Sequence, residues 1–129
     1  MNKLVFIVDD SDTNLTVAAA ALEEEYRVMT IPSAQKMFTV LERKTPELIL
    51  LDIEMPDMDG YEAGEKLKGN PAWAGIPLIF VTGHVDDAVL SRAQGFGALC
   101  VIKKPFDPSE LLLKVNGYMN ATEAQATTD

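Results

Sequence analysis

Residues Leu48 to Gly60 (Leu-Ile-Leu-Leu-Asp-Ile-Glu-Met-Pro-Asp-Met-Asp-Gly) constrain the fold more than any other stretch of the chain. Four consecutive apolar residues, Leu48 to Leu51, run directly into the carboxylate of Asp52. An unbroken apolar run this short suits a strand covered on both faces, and the Pro56 and Gly60 turn signals end it. A strand covered on both faces belongs in a parallel sheet between helical layers. Asp52 then stands at the carboxyl edge of that sheet, where open α/β folds place their ligands.

The rest of the chain repeats this plan. Lys3 to Val8 is an apolar run ending in Asp9-Asp10, and a helix is predicted from Asp12 to Glu25 with Leu15, Ala18, Ala19 and Leu22 on its buried face. Ser11 or Asp12 supplies its N-cap oxygen. Tyr26 to Ile31 alternates weakly, as an outer strand would, and Pro32-Ser33 opens a helix that turns Ala34, Met37, Phe38 and Leu41 inward. After the strand that leads into Asp52, a short helix spans Tyr61 to Lys68. Pro77 to Val81 forms a fourth strand ending in Thr82-Gly83, and Asp86 to Gln94 a helix with a thin apolar face. Ala98 to Ile102 is a fifth strand ending in Lys103-Lys104-Pro105-Phe106. Asp107, Pro108 and Glu110 start the last helix, which buries Leu111, Leu112, Val115 and Tyr118. Alternation of strand and helix five times predicts a doubly wound α/β domain, a five-stranded parallel sheet between two helical layers.

Composition bounds what such a domain does. A chain of 129 residues is one domain, long enough to bury a core without staples. The single cysteine, Cys100, lies in an apolar run, excludes a disulfide framework and reads as a small buried hydrophobe. Met1-Asn2-Lys3 leads straight into a strand pattern without a signal-peptide core, and no apolar stretch reaches the length of a membrane span, so a cytoplasmic protein is expected. The net charge of −9 opposes direct binding to nucleic acid or to anionic membranes and favours cations. Asn120 to Asp129 lacks periodicity, which divides the chain into a domain over residues 1–120 and a flexible tail or start of a linker over 121–129.

In a parallel sheet the strand ends converge. Asp9, Asp10, Asp52, Thr82 and Lys104 therefore share one edge, and with strand order 2-1-3-4-5 the acids of the first and third strands are neighbours at the switch point. Two like charges about 4 Å apart cost on the order of 4 kcal/mol at an effective dielectric near 20. Oxygen ligands alone favour a hard cation such as Mg²⁺, and Lys104 offsets part of the remaining charge. A carboxylate beside Mg²⁺ and an ammonium is a nucleophile placed for phosphoryl transfer, and a hydroxyl such as Thr82 can hold a further phosphoryl oxygen.

These residues resemble the receiver domain of two-component response regulators. The likeness is carried by Asp9-Asp10, by Asp52 with Met55-Pro56-Asp57-Met58-Asp59-Gly60, by Thr82-Gly83 and by Lys104-Pro105-Phe106, and it spans residues 3 to 119. The resemblance implies a flavodoxin-like three-layer fold and a signalling phosphoacceptor that catalyses only its own phosphorylation and dephosphorylation. It implies that Asp52 accepts a phosphoryl group from a histidine kinase or histidine phosphotransfer protein, with Thr82 and Lys104 contacting the phosphoryl oxygens. Mg²⁺, or Mn²⁺ in its place, is held by Asp10 directly, Asp9 largely through water, Asp52 and the backbone carbonyl of Glu54. The Lys104–Pro105 bond is expected to be cis. Phosphorylation is expected to switch the loop after the fourth strand, the fourth helix and the fifth strand, and so to control an output domain or partner protein. Val101 stands where many receivers carry an aromatic residue. His84, two residues after Thr82, reads as a solvated loop histidine, and Glu54 as either a residue over the metal side or an exposed acid.

Three rival readings remain at this point. A phosphorylation-independent interaction module would lack the acceptor or the lysine, and both Asp52 and Lys104 are present. A Mg²⁺-dependent phosphohydrolase with an aspartyl nucleophile would place a second Asp at position 54, where Glu54 stands. A flavin mononucleotide binder would want hydroxyls after the first strand, where Asp9 and Asp10 would repel the phosphate.

Overall fold

The computed structural model describes residues 3–127. Strands and helices alternate as β1 (Leu4–Val8), α1 (Asp12–Leu22), β2 (Arg27–Ile31), α2 (Ala34–Leu41), β3 (Leu48–Asp52), α3 (Gly60–Gly69), β4 (Leu78–Thr82), α4 (Asp87–Gly95), β5 (Cys100–Lys103) and α5 (Pro108–Thr127). The five strands are parallel in the order β2-β1-β3-β4-β5. The apolar runs imply the parallel sheet, and this strand order is the flavodoxin-like arrangement that the resemblance implies. Every residue of β1, β3 and β4 is buried, whereas β2 and β5, at the sheet edges, are covered only in part.

Strand alternation sorts the core into two layers. Phe6, Val8, Ile49, Leu51, Leu78 and Phe80 pack with buried residues of α2, α3 and α4. Val5, Ile7, Leu50, Ile79, Val81 and Ile102 pack on the opposite face with α1 and α5. The same parity continues into the residues that end or directly follow each strand. Asp9, Asp52 and Lys104 fall on the α1/α5 side, and Thr82 and Lys103 on the α2–α4 side.

Side chains define the helix starts. Ser11 Oγ accepts the Asn14 N–H, Asp86 the Val89 N–H and Asp107 the Ser109 N–H. Asp59 and Glu62 form a reciprocal capping box on α3. Asp57 takes a left-handed backbone conformation with φ of 68° inside the loop after β3. α4 is held by few groups: Ala93 is its buried residue, and Phe96 at its C-cap joins Tyr61 and Phe80 in an aromatic cluster. Arg92 lies over the Tyr61 ring, 3.9 Å from its centroid.

Three expectations are corrected. α1 ends at Leu22, not Glu25, because the Tyr26 N–H bonds back to the Leu22 carbonyl and closes the turn through the three glutamates. α5 continues as helical backbone to Thr127, past the point at which the sequence reading ends it. Ala121, Glu123, Ala124, Gln125 and Ala126 are favourable helix residues, and no Gly or Pro interrupts them. Residues 128 and 129 of the expected tail lie outside the described residues. Cys100 is only half-buried because β5 is an edge strand; its thiol meets the Tyr118 hydroxyl, and burial pushes its pKa up.

Gly60 ties the fold to the candidate site. A Cβ built there would lie 2.5 Å from the Asp52 carbonyl oxygen and 2.7 Å from Ile53 Cα, both of them backbone atoms that have no rotamer to yield. Gly60→Ala is therefore expected to destabilise the protein by about 1–3 kcal/mol, the cost of overpacking, measured by urea unfolding. Gly69→Ala, where a Cβ meets nothing within 4 Å, is the control and should be neutral or better. Equal midpoints for the two variants would refute this account.

Candidate functional site

The carboxyl edge of the sheet gathers the predicted residues. In the registers Val8↔Leu51, Asp52↔Val81 and Thr82↔Lys103, the strand ends lie level with one another. The backbone reinforces this alignment, because the Ile53 N–H donates to the Val81 carbonyl and the Lys104 N–H to the Thr82 carbonyl. Gly60 N–H returns to the Ile53 carbonyl and closes the loop beneath Asp52.

Asp9, Asp10 and Asp52 each bring a carboxylate oxygen within 4.8 Å of the others. Asp52 is 1% exposed and Asp9 5% exposed, while Asp10 faces solvent. Lys104 Nζ donates to Asp52 Oδ1 at 3.0 Å and reaches Asp9 Oδ2 at 3.5 Å. Asp9 Oδ1 accepts the Ser11 N–H at 2.9 Å, so both of its oxygens are engaged. Asp52 Oδ2, by contrast, is buried without a hydrogen-bond partner. A buried carboxylate oxygen left unpaired beside two more acids is what a hard cation with oxygen ligands would satisfy.

The electrostatics follow from this packing. Burial, aided by the negative charges of Asp9 and Glu54, pushes Asp52 up to about 6, although the Lys104 ammonium pulls it down. Burial opposes the charge on Lys104, yet its bonds to Asp52 and the field of Asp9 prevail, and its pKa rises. The lysine is thus a permanent cation held against a poised carboxylate. Lys103, on the other side of β5, is exposed, and it is Lys104 that meets the aspartates. The Lys104–Pro105 bond is cis.

Thr82 is not joined to Asp52. Its buried hydroxyl donates to Glu54 Oε1 and accepts the His84 N–H at 3.2 Å. The Glu54 side chain therefore turns toward β4 and lies outside the acid cluster. His84 pairs through Nε2 with Oδ2 of Asp86, the N-cap of α4, at 2.9 Å. Val89 N–H and then His84 hold Asp86 below the usual carboxylate range. Sequence reasoning missed both contacts. Spacing alone gives no signal for the Glu54–Thr82 bond, whereas His84 two residues before a helix cap could have suggested the second.

Among the described residues, no helix is long and apolar enough to cross a membrane. The family profile described as the response regulator receiver domain matches residues 5–116. Among curated relatives, the response regulator PleD of Caulobacter vibrioides is 34% identical over 89% of this chain, which corresponds to 26% of PleD. An uncharacterised 14.6 kDa protein of Leptolyngbya boryana is 30% identical, with 88% of each chain covered. The chain spans only 19–26% of the length of several of the longer relatives. Among solved structures, a CheY-like receiver domain protein from Methanospirillum hungatei superposes with a TM-score of 0.87 at 31% identity, covering 97% of this chain and 99% of that one. With the aspartates, the threonine and the lysine at the ends of their four strands, and with this profile over nearly the whole length, the chain belongs to the response regulator receiver domain family.

Proposed function

We propose that the protein is a phosphoacceptor receiver in which Asp52 takes a phosphoryl group from a histidine kinase or a histidine phosphotransfer protein. The observation that carries this reading is the Asp52 carboxylate itself, 1% exposed, with Oδ1 held by Lys104 and Oδ2 unpaired between further acids. A buried, ionisable oxygen without a donor is costly, and proteins retain such groups where chemistry needs them. An Asp52 oxygen forms the new bond to phosphorus while the donor's P–N bond breaks. Lys104 spreads the charge on the equatorial oxygens, and Thr82 donates to another once its hydroxyl is free.

Asp9, Asp10, Asp52 and the Glu54 carbonyl would hold Mg²⁺, or Mn²⁺ in its place, with Asp10 as the direct ligand because both Asp9 oxygens already have partners. When bound, the ion supplies neutralising charge for the acids and for the transferring group. The response runs through the Gly83–Val85 loop, α4 and β5 to an output domain or partner protein, and α4, with few buried anchors, is suited to shift. The acidic chain fits a cytoplasmic signalling protein that contacts neither nucleic acid nor membrane directly.

Intact-mass spectrometry tests the acceptor. With Mg²⁺ and acetyl phosphate, wild type should gain one phosphoryl mass that is lost with hydroxylamine, and Asp52→Asn should gain none. The same gain on both proteins would place the acceptor elsewhere.

A further inference from the structure

The one proton of the Thr82 hydroxyl is committed before any phosphoryl group arrives. That proton is donated to Glu54 Oε1, while the His84 N–H occupies an oxygen lone pair. The bond joins two loops of the site, the one after β3 and the one after β4. Its partner is a carboxylate on an exposed residue, so it can leave into water without stranding a buried charge. Glu54 Oε2 also sits 3.9 Å from the position that a Cβ of Gly83 would take, so the carboxylate lies across the start of the β4–α4 loop. Parity adds to the picture: Thr82 faces the α2–α4 layer, away from the side that carries Asp9, Asp52 and Lys104.

We infer that Glu54 is a positioning residue that latches Thr82 in the unphosphorylated protein, so that the Glu54 carboxylate and a phosphoryl group on Asp52 compete for the same hydroxyl proton. This deepens the phosphoacceptor reading and rests on it. The latch supplies a resting-state contact for a chain with Val101 on β5, and release of Glu54 and recruitment of Thr82 become one event. Because Glu54 and His84 both hold the hydroxyl, that event reaches the backbone of the β4–α4 loop directly. The Glu54 charge also adds to the field at Asp52, so its departure eases the approach of an anion from two directions.

Beryllofluoride, a phosphoryl mimic, tests the latch at saturating Mg²⁺ by amide NMR titration. Glu54→Ala should bind beryllofluoride about fivefold more tightly than wild type, the worth of one net hydrogen bond. Glu54→Gln, whose amide oxygen still accepts, should fall between the two. In a Thr82→Ala background most of the gain from Glu54→Ala should vanish, leaving only the smaller part due to the lost charge. A gain of undiminished size there would assign Glu54 a purely electrostatic effect and overturn the latch, as would unchanged affinity in Glu54→Ala. Without metal or beryllofluoride, the His84 amide resonance should shift in Glu54→Ala, and an unshifted resonance would also overturn it. Failure of wild type to bind beryllofluoride is a separate result, which would refute the phosphoacceptor reading beneath it.

Discussion

Replacing Lys104 by methionine is expected to slow phosphorylation of Asp52 by acetyl phosphate on the order of 10²–10³-fold, the usual cost of removing one preorganised charge from a developing anion. Methionine keeps most of the volume and removes the ammonium that lies 3.0 Å from Asp52 Oδ1 and 3.5 Å from Asp9 Oδ2. The substitution has a second consequence. Two buried carboxylates lose their cation, and breaking a buried pair costs about 3–5 kcal/mol when the remaining charge cannot escape. Here it can escape in part, because Asp52 takes up a proton more readily once the lysine is gone. The loss of stability should therefore be largest near pH 8 and shrink toward pH 5. Rates from intact mass at saturating Mg²⁺, with urea unfolding at the two pH values, check both halves. A variant that phosphorylates at the wild-type rate would remove Lys104 from the transfer machinery.

Without Mg²⁺, wild type should lose on the order of 3 kcal/mol of stability as pH rises from about 4 to about 7, relative to Asp52→Asn. Asp52 titrates near 6 in the folded protein against 3.8 as the ordinary value. A raised carboxylate pKa means that the folded state binds the proton more tightly. Its contribution is thus fully present below about pH 4 and is lost as pH climbs through 6. The main cause is burial, with Asp9 and Glu54 adding to it and Lys104 opposing it. Asparagine has no proton to lose, so the difference between the two unfolding curves isolates this one group from other carboxylates. Mg²⁺ should restore stability to wild type above pH 6, because it binds the ionised form. A flat difference curve would mean that Asp52 is not held at the raised value.

The sheet and the acid cluster were legible because they depend on local pattern. Leu48–Leu51 suits a strand covered on both faces, and of the site residues Asp52 and Thr82 end two such strands while Asp9 follows a third directly. Alternation along β5 also separated Lys104 from Lys103. What escaped depended on rotamers across loops or on neighbours distant in sequence. The Glu54 side chain can point toward the acids or toward β4, and only the packed structure shows it bonded to Thr82. Cys100 sits in an apolar run that looks fully covered, but its strand lies at an edge. The end of α5 was obscured because Ala, Glu and Gln suit a solvated helix as well as an unstructured tail.

The two-layer core gives the carboxyl rim a particular standing. Phe80, two residues before Thr82, packs with α2, α3 and α4, whereas Leu50, two residues before Asp52, packs with α1 and α5. The sheet acts as a partition between these two territories, and the rim is where they meet. Substitutions beneath α1 or α5 should alter how Asp52 is charged and approached, and those beneath α3 or α4 should alter how Thr82 responds. In the proposed function, receiving the message and relaying it are housed on opposite sides of one wall.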